Sequence, residues 1–123
     1  MIDLDTIFTL NNFFFSIKTI LIYSVLLLIF YNIKEKNLRL IYTSLIYLVC
    51  LYLFGIDCKL GILYIIIAIC CVITESIYIN FCDETWKYIN PDIINIPYWL
   101  ISIWSIAILL ITESVNLMKT IMI

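Results

Sequence analysis

Four long apolar runs, separated by short polar clusters, organise the chain: 13–32, 38–54, 60–81 and 97–117. A helix needs roughly 20 apolar residues to cross a hydrocarbon core about 30 Å thick. Strands of a membrane barrel would alternate polarity in segments of roughly 10 residues, and the unbroken run 60–81 does not. The pattern therefore predicts an all-α bundle of about four transmembrane helices. The second run is the shortest, so its helix is expected to start near Asn37, with Arg39 snorkelling toward the headgroups. Ahead of the first run, Ile2, Leu4, Ile7, Phe8 and Leu10 alternate loosely with polar residues, which suits a short stretch lying in the interface.

The separators differ in character. Residues 33–39 form the most basic connection, with Lys34, Lys36 and Arg39. Gly55-Ile56-Asp57-Cys58-Lys59 reads as a tight polar turn. The longest connection, 83–96, contains Asn90-Pro91-Asp92, an N-cap followed by proline at the first helical position and an acid in the first turn. A short surface helix is expected there. Trp86, Tyr88, Tyr98 and Trp99 gather around this connection as an interfacial aromatic belt.

Composition supports the membrane reading. Of 123 residues, 65% are hydrophobic and 13% charged, against about 45–50% and about 25% in soluble domains. A small soluble domain leaves too much surface exposed to hide that excess. The four runs use nearly the whole chain, so one transmembrane domain over 1–123 is expected, with the lipid bilayer as its partner, joined by further copies or other membrane proteins. No basic patch suits nucleic acid. The chain has no His, which removes the commonest general base and metal ligand. The five cysteines, Cys50, Cys58, Cys70, Cys71 and Cys82, form no metal motif, and no cofactor is implied. Cys58 and Cys82 fall at opposite ends of the third run, so no disulfide framework is expected. The acidic start, with Asp3 and Asp5, is unlike a signal peptide, and the first span is expected to act as an uncleaved anchor.

Lysine and arginine bias sets orientation. Lys34, Lys36, Arg39 and Lys87 fall on one side; Lys59, Lys119 and the shallow Lys18 fall on the other. Loops 33–39 and 83–96 are therefore expected to be cytoplasmic, with both termini on the opposite side.

Ionisable residues inside spans are costly and mark candidate sites. Two qualify, Glu75 and Glu113, each within a Thr-Glu-Ser triplet. At about 1.5 Å of rise per residue, Glu75 lies roughly 10 Å from its helix end and Glu113 roughly 24 Å from the start of its own helix. In antiparallel helices the two then differ in depth by roughly 15 Å, too far for an acid/base dyad. Arg39 and Lys34 match the depth of Glu75, and Lys18 and Lys59 that of Glu113, so Arg39 and Lys18 are the expected ion-pair partners. Helical spacing adds polar stripes: Ala68, Cys71, Tyr78 and Cys82 with Glu75; Ser102, Ser105 and Asn116 with Glu113; Thr43, Tyr47 and Cys50 on the second helix; Asn12, Ser16, Thr19 and Tyr23 on the first. Trp104, two turns inside the fourth span, is less routine than the interfacial tryptophans. With only Gly55 and Gly61 and no GxxxG pair, helix packing is expected to rely on Ala, Ser, Thr and Cys faces. The loop acids Asp83, Glu84 and Asp92 match no metal motif and are expected to be solvated.

Residues Trp86-Lys87-Tyr88 through Ile96-Pro97-Tyr98-Trp99-Leu100 to Trp104, with Glu75 upstream, resemble a pattern in small uncharacterised multi-pass membrane families and, more distantly, in carotenoid-modifying membrane proteins. The whole chain is similar to small orphan membrane proteins of large DNA viruses. This resemblance implies a location, not a reaction. The expected function is a structural or interaction component of a membrane. Two alternatives stand beside it: a membrane-embedded enzyme acting on a lipid or isoprenoid with Glu75 as acid or base, and a small ion or proton channel or carrier using the Glu75 stripe.

Overall fold

The computed structural model describes residues 10–81, 88, 91–93 and 96–121, which form an all-α bundle. Its helices are α1 (Leu10–Asn32), α2 (Lys36–Leu53), α3 (Cys58–Phe81) and α4 (Trp99–Ile121). Three contain stretches long and apolar enough to cross a membrane: Asn12–Asn32, Cys58–Phe81 and Trp99–Lys119. α2 is the exception to the expected four. It has 18 residues and carries Lys36 and Arg39 in its first turn, so its length is about 27 Å with an ionic end.

Local chemistry accounts for the turns. Gly55 has φ +64°, and around it Ile56 N–H reaches Leu51 O at 2.9 Å and Gly55 N–H reaches Tyr52 O at 3.2 Å. This is the Schellman closure of a helix, for which glycine is favoured. Two residues on, the Asp57 carboxylate accepts from Leu60 N–H at 2.8 Å and caps α3. At the other face Pro91 is non-helical and Ile93 and Ile96 form an isolated antiparallel bridge. Among the described residues the expected surface helix is absent, and Ile93 and Ile96 exchange backbone hydrogen bonds at 3.0 and 2.8 Å. Asp92 is not the first-turn acid of a helix beginning at Pro91; its carboxylate instead accepts from Tyr98 N–H at 2.9 Å, just ahead of α4.

α4 packs against both α2 and α3, while α1 joins mainly through α2. One core cluster gathers Ile22, Leu26, Tyr47, Cys50, Tyr64, Ile106, Leu109 and Leu110 from all four helices. A second, toward the 88–98 connection, holds Val72, Ile79, Ile96 and Leu100. Gly61 permits a close approach: a Cβ there would stand 3.0 Å from Leu51 Cδ1, and its carbonyl accepts from the Tyr47 hydroxyl at 2.6 Å. Large apolar side chains point outward, with Tyr52 86%, Phe81 83% and Tyr31 78% exposed. A surface this apolar is far beyond the patches a soluble monomer carries, and lipid is the solvent it suits.

The α2 stripe appears as expected, with Thr43, Tyr47 and Cys50 buried; Ser102 and Ser105 are buried on α4. The α1 stripe does not. Its buried positions are Ile22, Leu26 and Ile29, while Tyr23 is 54% exposed. The hydroxyls of Ser16 and Thr19 turn back onto the carbonyls of Asn12 and Phe15. Hydroxyls satisfied within their own helix need no neighbouring helix, so the apolar face was free to take the contact with α2.

Candidate functional site

Glu75 stands on the edge of the buried face of α3, whose buried positions include Ala68, Val72, Ser76 and Ile79. Its carboxylate accepts at both oxygens. The Tyr88 hydroxyl donates to Oε1, and Trp104 Nε1–H donates to Oε2 at 3.0 Å. The register is simple: Glu75 lies six residues before the end of α3 and Trp104 five after the start of antiparallel α4, so the two share one depth. Both donors are neutral side chains, one from the connection and one from α4.

The contacts continue beyond Glu75. The Tyr88 ring meets Trp99 edge-on, 5.9 Å between centroids. Trp99 meets Phe30 of α1 at 5.1 Å, and the Arg39 guanidinium lies 4.9 Å from the Phe30 centroid and 5.5 Å from that of Trp99. Cation–π geometry of this kind contributes about 0.5–1 kcal/mol where exposed and more when desolvated. The series links α3, the connection, α4, α1 and α2 at one face of the bundle.

The expected cationic partners act elsewhere. Arg39 Nε donates to Ile33 O at 2.6 Å and its Nη2 to Phe30 O at 3.0 Å, capping the carbonyl end of α1. Lys18 Nζ donates to Leu53 O at 3.0 Å and sits over Phe54, capping the carbonyl end of α2. Each helix of the hairpin thus carries a cation onto the C-terminal dipole of the other. Helix carbonyls lacking intrahelical partners compete well for such donors, which is why matched depth alone did not make an ion pair. Among the described residues the ion pair is Lys36–Asp92, at 2.8 Å. The hydrogen bond from Lys36, then that from Tyr98 N–H, holds the Asp92 carboxyl below its ordinary range.

Glu113 is half-buried toward the opposite face, in electrostatic reach of Tyr64, whose buried hydroxyl also lies beside Thr112. It lies nine residues beyond Trp104, about 13 Å further along α4, so the two glutamates remain separate groups. Tyr78 is 42% exposed and lines, with Ile67, Cys70, Cys71, Thr74, Glu75 and Trp104, an open groove of about 550 Å³ on the outer face of α3 and α4. Cys50, Cys58, Cys70 and Cys71 are free thiols. Among the described residues no cluster of three or more His, Cys, Asp or Glu suits a metal. Cys82, Asp83, Glu84, Trp86 and Lys87 lie outside the described residues.

Sequence reasoning put Glu75 and Trp104 among the candidate polar residues without making them hydrogen-bond partners, and it placed Tyr88 in the interfacial belt and in the pattern that carries the resemblance. The usable signal was depth: counting residues inward from the two helix ends puts Glu75 and Trp104 at one level. No protein-family model, curated protein or solved structure matches the chain, and the functional reading therefore rests on its own geometry.

Proposed function

We propose that this chain is a multi-pass membrane protein with four helices across the bilayer, serving as a structural or interaction component. The observation that carries it is the use made of Glu75: both carboxylate oxygens are engaged by side chains from other parts of the bundle. A carboxylate spent on joining elements is a register device, a recognised use of buried polar groups. The partners that fit are the bilayer and other membrane-embedded surfaces, including a second copy. The Lys36–Asp92 pair brings the connections before α2 and α4 to one face, which supports their lying on one side; the lysine and arginine bias is what favours that side being cytoplasmic, with both termini opposite.

Glu75→Gln and wild type, purified in one detergent, test this through thermal stability, oligomeric state and proton flux in liposomes. The expected result is a lower melting temperature with both proteins leaving liposomes tight. Unchanged stability together with a proton flux that depends on Glu75 would overturn it in favour of a carrier.

A further inference from the structure

We propose that Lys34 and Arg39 form a site for the phosphate of an anionic phospholipid, where the end of α1 meets the headgroups. The inference deepens the membrane reading above and rests on it, but not on any role of Glu75. Both cations reach one backbone atom: Lys34 Nζ lies 3.3 Å and Arg39 Nη2 3.0 Å from the carbonyl oxygen of Phe30. The two nitrogens therefore stand within two hydrogen-bond lengths of each other. Like charges held this close repel, and an anion bridging them relieves the repulsion. The counter-charge at hand is small. The carbonyl end of α1 amounts to roughly half a negative charge. Asp92 is spent on Lys36, and Glu35 makes no ion pair among the described residues.

The donors are set for a phosphate. The Arg39 guanidinium is held beside the rings of Phe30 and Trp99, 4.9 and 5.5 Å from their centroids, with Nε on Ile33 O at 2.6 Å. Its Nη1 donates to none of the described residues. A fork fixed in advance loses little freedom when it takes an anion, and guanidinium geometry matches phosphate oxygens. Lys34 is exposed, and its ammonium has three donors, of which Phe30 O takes one. Its Nζ lies 5.9 Å from the centroid of the Tyr31 ring. Tyr31 and Leu27, one turn apart on α1, are 78% and 71% exposed, a flank along which an acyl chain can lie. The bilayer supplies the headgroup at this depth, and the orientation proposed above sets this face in the leaflet that carries anionic lipid. Phosphatidylcholine offers the same phosphate with an ammonium of its own, so net charge separates the two lipids.

The test titrates the purified protein in dodecyl maltoside with dioleoylphosphatidylglycerol, dioleoylphosphatidylcholine or sodium phosphate. Native mass spectrometry counts bound lipid, and the melting temperature is followed in parallel. Phosphatidylglycerol is expected to be retained and to raise the melting temperature, while the other two at equal concentration do neither. Lys34→Gln is expected to weaken phosphatidylglycerol binding about fivefold, the effect of one cation at an anionic surface. Lys59→Gln, which removes an exposed cation at the opposite end of the bundle, is expected to leave binding unchanged. Arg39→Gln should lose more than Lys34→Gln; because it also uncaps α1, Lys34→Gln carries the test. Equal retention of phosphatidylcholine, equal weakening by Lys59→Gln, or no retention of phosphatidylglycerol would overturn the proposal. So would stabilisation by sodium phosphate without phosphatidylglycerol binding, since the ligand would then be a free anion. Retention of the protein in alkali-washed membranes tests the membrane reading by itself and keeps the two failures apart.

Discussion

The two ends of the bundle are held by different physics. From mid-bundle to the 54–57 turn the packing is dry and close: Gly61 lets the Leu51 side chain seat against α3, and Cys50, Ile106 and Leu109 are at most 1% exposed. Toward the 88–98 connection the helices are spanned by long side chains, Glu75 to Trp104 and Arg39 over Phe30 and Trp99. In lipid, apolar burial gives helices little reason to associate, so packing and interhelical hydrogen bonds carry the load. Both ends use both devices in different proportion: the turn end adds the Tyr47–Gly61 hydrogen bond to close packing, and the far end adds the Val72, Ile79, Ile96 and Leu100 cluster to its side-chain bonds. The turn end is closed by a four-residue connection and leans more on shape; the far end must hold a long connection and leans more on directional bonds.

The dry end should break hardest. Leu109→Ala is expected to destabilise the bundle by about 2 kcal/mol, the low end of the cavity range because lipid removes much of the transfer term. Unfolding in mixed detergent would check it, and a loss well under that of Glu75→Leu would reverse the ranking of the two ends. At the polar end, Glu75→Leu leaves the Tyr88 hydroxyl and the Trp104 indole N–H without this acceptor, a loss of about 1–2 kcal/mol given membrane hydrogen bonds of about 0.6–1.7 each. Trp104→Phe should cost about half as much and be non-additive with Glu75→Leu, as a double-mutant cycle would reveal.

Smaller effects belong to the caps. Arg39→Gln removes charge from the end of α1 and from the aromatic pair, with about 1 kcal/mol expected. Asp92→Asn is expected to cost less than about 1 kcal/mol, as partly exposed ion pairs do. Because the folded Asp92 is held below its ordinary value of 3.8, its contribution is complete above that pH. It is lost as pH falls through the folded value. Thermal stability of wild type should thus decline below pH 3.8 by a component absent from Asp92→Asn. Matching acid profiles would show that the pair contributes nothing.

Legibility followed the same division. Helix extents were readable because spanning lipid demands long apolar runs, and the expected 60–81 and 13–32 lie within two or three residues of the observed Cys58–Phe81 and Leu10–Asn32. The α2 stripe Thr43, Tyr47 and Cys50 was readable because that helix has two neighbours to serve. On α1 the polar stripe misled, since its hydroxyls, like that of Thr43, bond to their own helix, and such bonds leave helix rotation to be set by packing.

By itself the sequence determined the four long helices to within about four residues at each end, the tight turn at Gly55 and the spacing of Glu75 and Glu113 from their helix ends, because each follows from local hydropathy, rise per residue and capping. Only the tertiary structure decided partners. That α4 packs against both α2 and α3, that Arg39 and Lys18 cap carbonyls, and that Glu75 meets Trp104 and Tyr88 depend on helix rotation and neighbour order. In lipid, where every outward face is apolar, hydropathy carries little information about either.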